Sequence, residues 1–200
     1  MKRLTSLLLF FVFVLYSCKT KFSYSPTPHI VIKTMKGDIE LELNAEKAPK
    51  TVAAFLSYVD SGYYKDASFY RVLNDRNQPS NATKTELIQG GIWKTNYTLA
   101  TSTPGIPHES TKQTGLLHKD GVISLARMEP GTAGTEFFIC IDDQPGLDYG
   151  GENVPDKQGY APFGKVVRGM DVVRLIYRQG EGDQYLNPQI GIYNIVRLDK

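Results

Sequence analysis

The chain has 200 residues, with 23 Lys and Arg against 21 Asp and Glu and a formal net charge of +2. A balance this close to neutral, with no basic block, argues against nucleic acid as a partner. In chain order the first feature is Met1-Lys2-Arg3, then an apolar run from Leu7 to Leu15, then Tyr16-Ser17-Cys18. A basic start, a short apolar core and small residues predict a secretory leader. The core runs to about a dozen residues, short of the roughly 20 that a membrane-spanning helix needs. The alternative is a buried N-terminal helix of the fold.

The Leu15-Tyr16-Ser17-Cys18 ending resembles a bacterial lipoprotein box. That resemblance implies that residues 1–18 are a lipoprotein signal peptide with Cys18 acylated as the first mature residue. Several acyl chains together anchor stably, since each buried methylene contributes about 0.8 kcal/mol. Lys19, rather than an acidic residue, follows the cysteine, which implies an outer-membrane anchor facing the periplasm. Cys140, the other cysteine, is then a small buried hydrophobe in a strand; a Cys18–Cys140 disulfide is the alternative. Residues 19–28 are polar, with Pro26 and Pro28, and read as a tether. Residues 29–200 remain for one domain with a sizeable core.

Within that domain, His29–Thr34 and Asp38–Leu43 alternate apolar residues around Lys36-Gly37, which predicts a hairpin. Pro49 suits the first turn of a helix and Gly62 its end, with Val52, Phe55, Leu56 and Val59 as the apolar stripe. Ser68–Leu73 is a strand candidate, followed by a loop from Asn74 to Thr85. Leu87–Trp93 returns to strand, and its glycines mark a bulge or a close backbone approach. Residues 94–120 read mostly as loop. Val122–Ala126 and Phe137–Ile141 are strands around the Gly131–Gly134 turn. A second long loop covers Asp142–Pro162. Phe163–Val167 is a strand, Gly169–Tyr177 a helix with Val172, Val173 and Ile176 inward, and Tyr193–Leu198 a closing strand. About eight short strands and two helices favour a sandwich or a barrel, and pattern does not choose between them.

Phe69-Tyr-Arg-Val72, Ile88-Gln-Gly-Gly91 and Gly134-Thr-Glu-Phe-Phe-Ile139 resemble the cyclophilin family of peptidyl-prolyl cis/trans isomerases, whose patterns there are Phe-His-Arg-hydrophobic, Gln-Gly-Gly and Gly-Ser-Gln-Phe-Phe-Ile. Lys36–Ile39, Ala48–Phe55 and Phe163–Val173 match further stretches in the same order. The resemblance covers about residues 29–198. It implies a mainly β fold, a closed eight-stranded antiparallel barrel capped by two α-helices. It also implies a monomer that acts on proline-containing polypeptides without metal or cofactor.

By the same resemblance Arg71, Gln89, Glu136 and Phe138 serve catalysis, and Leu87, Ala126, Arg127, Leu147 and Tyr160 bind substrate. An X-Pro amide isomerises over about 18–20 kcal/mol of lost resonance. Twisting the C–N bond returns a lone pair to the proline nitrogen near the transition state alone. A donor aimed at it therefore binds the transition state selectively, and arginine offers a permanently charged fork of donors. Glu136 is an acid where the family has Gln, and its expected partner is Arg71. Glu86 and Gly146 stand where the family has Phe and Trp. With Glu136, these departures leave open a proline-peptide-binding chaperone or scaffold that has lost catalysis. A third reading is an unrelated small-ligand barrel. His29, His108 and His118 lack metal-ligand spacing and read as chance placements.

Overall fold

The computed structural model describes residues 27–180 and 182–198. The expected leader, the lipidation of Cys18 and nearly all of the 19–28 tether lie outside the described residues.

The chain begins with the expected hairpin, β1 (His29–Thr34) and β2 (Gly37–Leu43). The Thr34 hydroxyl donates to the Gly37 carbonyl at 2.7 Å and accepts from the Lys36 N–H at 3.0 Å. Gly37 has φ +129°, and a Cβ there would meet Val172 at 2.9 Å. Glycine is required by both the backbone conformation and the space.

Helix α1 (Pro49–Asp60) begins with proline at its first turn and buries Thr51, Val52, Phe55, Leu56 and Val59. Ala48 supplies no side-chain cap. The cap comes from Glu109, which accepts from the Lys50 N–H at 3.2 Å, the Thr51 N–H at 2.8 Å and the Thr51 hydroxyl at 2.8 Å. A carboxylate here satisfies orphan N–H groups and complements the positive end of the helix dipole.

Six further strands follow: β3 (Ala67–Leu73), β4 (Leu87–Gly91), β5 (Val122–Leu125), β6 (Phe137–Cys140), β7 (Ala161–Arg168) and β8 (Tyr185–Arg197). They close a barrel in the order β1-β2-β7-β5-β6-β4-β3-β8. All the pairings are antiparallel, and β8 closes the ring by pairing with both β1 and β3. The expected eight-stranded closed barrel is borne out. The last strand, however, starts at Tyr185 rather than Tyr193.

The expectation of two helices is corrected. Helix α4 (Met170–Tyr177) is present as predicted, but α2 (Tyr97–Ser102) and α3 (Thr111–Thr114) stand where the sequence reads as loop. Each is short and locally capped. Asn96 accepts from the Leu99 N–H at 3.2 Å, and Ser110 with Gln113 forms a reciprocal capping box. A 3-10 turn, Pro145–Leu147, interrupts the second long loop.

Two apolar clusters result from the two faces of the strands. The barrel interior holds Phe69, Val72, Ile88, Phe137, Ile139 and Phe163, with Phe55 of α1 and Ile176 of α4 packed in. Phe55 lies 5.0 Å from Phe163 and 5.9 Å from Phe137 between ring centroids. The second cluster, on the outer face, joins Leu87, Phe138, Cys140 and Leu147, with Leu73, Ala126 and Tyr160 against it. Cys140 is a buried free thiol, and burial pushes its pKa well up.

Replacing Glu109 with Ala leaves two backbone N–H groups and the buried Thr51 hydroxyl without their acceptor. The expected loss is about 1.5–3 kcal/mol, the range for hydrogen bonds to a charged group. Urea unfolding should show a lower midpoint at unchanged slope, and Glu109→Gln should recover part of it.

Candidate active site

The outer face of β3, β4 and β6 floors a cleft of about 660 Å³. Its floor is apolar. Phe138, Leu87 and Leu147 are each buried to 5% exposure or less. Tyr160 stands edge-on to Phe138 at 5.3 Å, and its N–H donates to the Leu147 carbonyl at 3.0 Å. Among the described residues the Tyr160 hydroxyl has no hydrogen-bond partner. Phe137 and Phe138 thus divide between interior and cleft, as alternation along a strand requires.

Strand β3 breaks that alternation. Phe69 pairs with Gly90 and Arg71 with Gln89, so two residues of β3 face one of β4 between them. This is a β-bulge at Tyr70. Phe69 and Val72 enter the barrel interior, while Tyr70 and Arg71 both line the cleft.

The Arg71 guanidinium is held by amides. Nε and Nη2 donate to Gln184 Oε1 at 3.1 and 2.6 Å, and Nη1 donates to Gln89 Oε1 at 3.2 Å. The Tyr185 ring stacks beside it at 5.9 Å. Gln184 also donates to the Asn77 carbonyl at 3.1 Å, which ties the arginine to the 74–85 loop. That loop is closed on itself: Lys84 Nζ donates to the carbonyls of Gln78 and Pro79 at 2.9 Å each. Gln78, Thr83 and Thr85 of this loop line the cleft.

The expected Glu136–Arg71 pair is not formed, and among the described residues Arg71 makes no ion pair. Glu136 Oε1 accepts from the N–H groups of Ile92 at 2.9 Å and Trp93 at 3.0 Å and from the Thr135 hydroxyl at 3.0 Å. Its Oε2 accepts from the Tyr70 hydroxyl at 2.8 Å. Four donors thus satisfy the Glu136 carboxylate without the guanidinium. A Cβ at Gly91 would collide with this carboxylate, so glycine is what lets Glu136 lie against the backbone. Burial raises the Glu136 pKa, and the four hydrogen bonds oppose that rise. Burial first, then the adjacent Glu136 charge, holds the Tyr70 hydroxyl protonated well above its usual range.

Ala126 and Arg127, the remaining predicted residues, also line the cleft. Ala126 N–H is taken by the Glu136 carbonyl at 2.9 Å. Arg127 turns its side chain onto Asp156, with bonds of 2.7 and 2.9 Å, and over the Tyr160 ring at 5.3 Å. Glu86 faces α4 instead of the cleft, accepting from the Tyr177 hydroxyl at 2.8 Å. At Gly146 an added Cβ would strike Asn153, so that side chain fills the space beside the glycine.

His118, which lacks metal-ligand spacing in the sequence, has a structural place beneath the cleft. Its Nδ1 lies 2.7 Å from Asp148 Oδ1 and its Nε2 3.1 Å from Ser124 Oγ. The order is that of a hydrolase triad, but Ser124 is 0% exposed, and a nucleophile that no substrate reaches does no acyl transfer. The imidazole instead stacks under Phe138 at 5.9 Å. Among the described residues no cluster of three or more His, Cys, Asp or Glu is placed to hold a metal.

Residues 29–196 match the family model for cyclophilin-type peptidyl-prolyl cis-trans isomerases. Peptidyl-prolyl cis-trans isomerase A of Dickeya dadantii is 35% identical over 156 residues, covering 78% of this chain and 74% of that protein. Peptidyl-prolyl cis-trans isomerase B of Escherichia coli is 33% identical over 155 residues, covering 74% and 82%. In fold, the chain is similar to a Cryptosporidium parvum cyclophilin-type isomerase in its crystal structure, with TM-score 0.66 and 24% identity, covering 87% of this chain and 99% of that one.

The Arg127–Asp156 pair makes a pH prediction. The Arg127 hydrogen bond lowers the Asp156 pKa to about 2. A depressed carboxylate contributes stability above its unfolded pKa of about 3.9 and loses it as pH falls toward the folded value. The gap in melting temperature between parent and Asp156→Asn should therefore be present at pH 6 and close between about pH 4 and pH 2.

Proposed function

The chain belongs to the cyclophilin-type peptidyl-prolyl cis-trans isomerases, and we propose that it accelerates X-Pro isomerisation by aiming Arg71 at the twisting amide nitrogen. The observation that carries this reading is the fixation of one arginine over an apolar floor. A guanidinium has five N–H donors. Gln184 and Gln89 take three of them, which leaves one N–H on each terminal nitrogen for a ligand.

Phe138, Leu87 and Leu147 offer the pyrrolidine ring a dry seat. The ground-state amide nitrogen has its lone pair delocalised and accepts weakly; the twisted one accepts well. A donor already fixed in place costs no reorganisation when that lone pair appears. Each 1.36 kcal/mol of such differential binding gives tenfold in rate. With the Ala126 N–H committed to Glu136, the Arg127 backbone is left to meet the residue before proline, and the Tyr160 hydroxyl is available to a substrate carbonyl.

The cellular setting we propose follows from the leader. Cleavage before Cys18 and acylation of that residue anchor the domain to the envelope, where proline-containing polypeptides newly arrived from export are its substrates. The 19–28 tether holds the barrel off the bilayer.

Exchange of X-Pro peptides followed by NMR tests the catalytic reading. The parent should accelerate cis-to-trans exchange, and Arg71→Ala should lose about 100-fold, the scale of one preorganised donor. A parent no faster than Arg71→Ala would favour the binding-module reading. Cyclosporin should give a flat titration, because Gly146 stands at the position of the family's tryptophan and Asn153 fills the space beside it; micromolar inhibition would count against this. Mass spectrometry of the envelope-extracted protein should find the acyl mass on Cys18, and a Cys18→Ala variant should leave the membrane fraction.

A further inference from the structure

Glu136 and Arg71 do not touch, yet a continuous chain of hydrogen bonds joins them. The Tyr70 hydroxyl donates to Glu136 Oε2 at 2.8 Å. Gln89 Nε2 donates to that same hydroxyl at 2.9 Å. Arg71 Nη1 donates to Gln89 Oε1 at 3.2 Å. Tyr70 is 4% exposed, so water offers its hydroxyl little alternative.

Each link fixes the direction of the next. An ionised carboxylate only accepts, so the single Tyr70 proton must point at Glu136. The phenol oxygen can then only accept on its other side. Gln89 must therefore present its NH2 to Tyr70, which turns its carbonyl oxygen to Arg71. We infer that Tyr70 and Glu136 are positioning residues that set the orientation of the Gln89 amide and thereby hold the Arg71 fork in the cleft. Neither needs to touch the substrate. The inference rests on the reading of Arg71 as the donor.

The polarity argument makes an unusual prediction for Glu136→Gln. Oε1 of the new amide keeps the N–H groups of Ile92 and Trp93, so its NH2 takes the place of Oε2 and donates to Tyr70. The Tyr70 proton must then turn to Gln89. Gln89 answers with its oxygen and brings its NH2 against the Arg71 guanidinium, donor against donor. Tyr70→Phe has a milder effect, because it frees the Gln89 amide without forcing it over. Removing the hydroxyl from the glutamine variant should therefore relieve the conflict.

The test is a mutant cycle on the full chain, read by X-Pro exchange. Glu136→Gln should lose about tenfold or more, one misplaced hydrogen-bonding group. Tyr70→Phe should lose about threefold. The double variant should be faster than Glu136→Gln alone. A double variant as slow as Glu136→Gln or slower, or a Glu136→Gln variant at the parental rate, overturns the inference. The NMR signals of the Gln89 side-chain NH2 and Arg71 Nε give a readout independent of turnover. Both should shift in Tyr70→Phe, and unchanged signals overturn the relay even where Glu136→Gln fails to fold. Arg71→Ala, measured beside these variants, separates the two readings. If it matches the parent, the donor role fails, while the Gln89 and Arg71 signals still decide whether the relay exists.

Discussion

The bulge at Tyr70 is the constraint on which the site depends. A regular strand places neighbours on opposite faces, so a regular β3 could send either Tyr70 or Arg71 into the cleft, never both. The extra residue between Phe69 and Arg71 changes that count. Phe69 and Val72 stay inside the barrel, and both intervening side chains face out. The arginine then has a phenol beside it, and Gln89 of β4 bridges the two. Bulges beside functional sites commonly re-aim side chains in this way.

Around that irregularity the barrel does two jobs with one sheet. Its interior is filled by aliphatic and aromatic residues. Its outer face between β3, β4 and β6 carries a second apolar cluster with Phe138 at its centre. His118 bonds both Asp148 and Ser124 beneath Phe138, so the floor rests on a hydrogen-bonded polar trio. Glu136 meets the same requirement differently, with two backbone N–H groups and two hydroxyls for a largely buried charge. Unpaired, such a charge would cost several kcal/mol. Gly91 makes the arrangement sterically possible.

Much of this was legible in the sequence. Strand alternation gave the hairpin around Gly37, and helical spacing gave the buried stripe of α1. Six ordered motifs carried the family resemblance and with it Arg71, Gln89 and Phe138. The misses have physical reasons. A bulge has no residue signature of its own, so sequence pattern does not put Tyr70 on one face with Arg71, and Arg71 is the more obvious partner for Glu136. Gln184 sits in a polar, glycine-rich stretch between the predicted helix and the predicted closing strand, and Asn187-Pro188 interrupts the strand pattern where β8 begins. Helix α3 had a readable signal in Ser110-x-x-Gln113, but at four residues it is too short to show periodicity. The long-range cap from Glu109 to α1 is beyond any local pattern, because 58 residues separate Glu109 from Thr51.

The place of β8 also bears on how the molecule comes to exist. Strands β1 and β3 each wait for a partner at the far end of the chain, with His29–Thr34 and Ala67–Leu73 both completed by Tyr185–Arg197. Pairings of such high sequence separation make for slow folding. They also mean that a ribosome-bound or truncated chain ending before Gln184 carries Arg71 with no clamp on two of its nitrogens. Ring closure and maturation of the arginine site are thus one late event, and partly made copies of the protein are neither sealed against edge-to-edge association nor equipped to act.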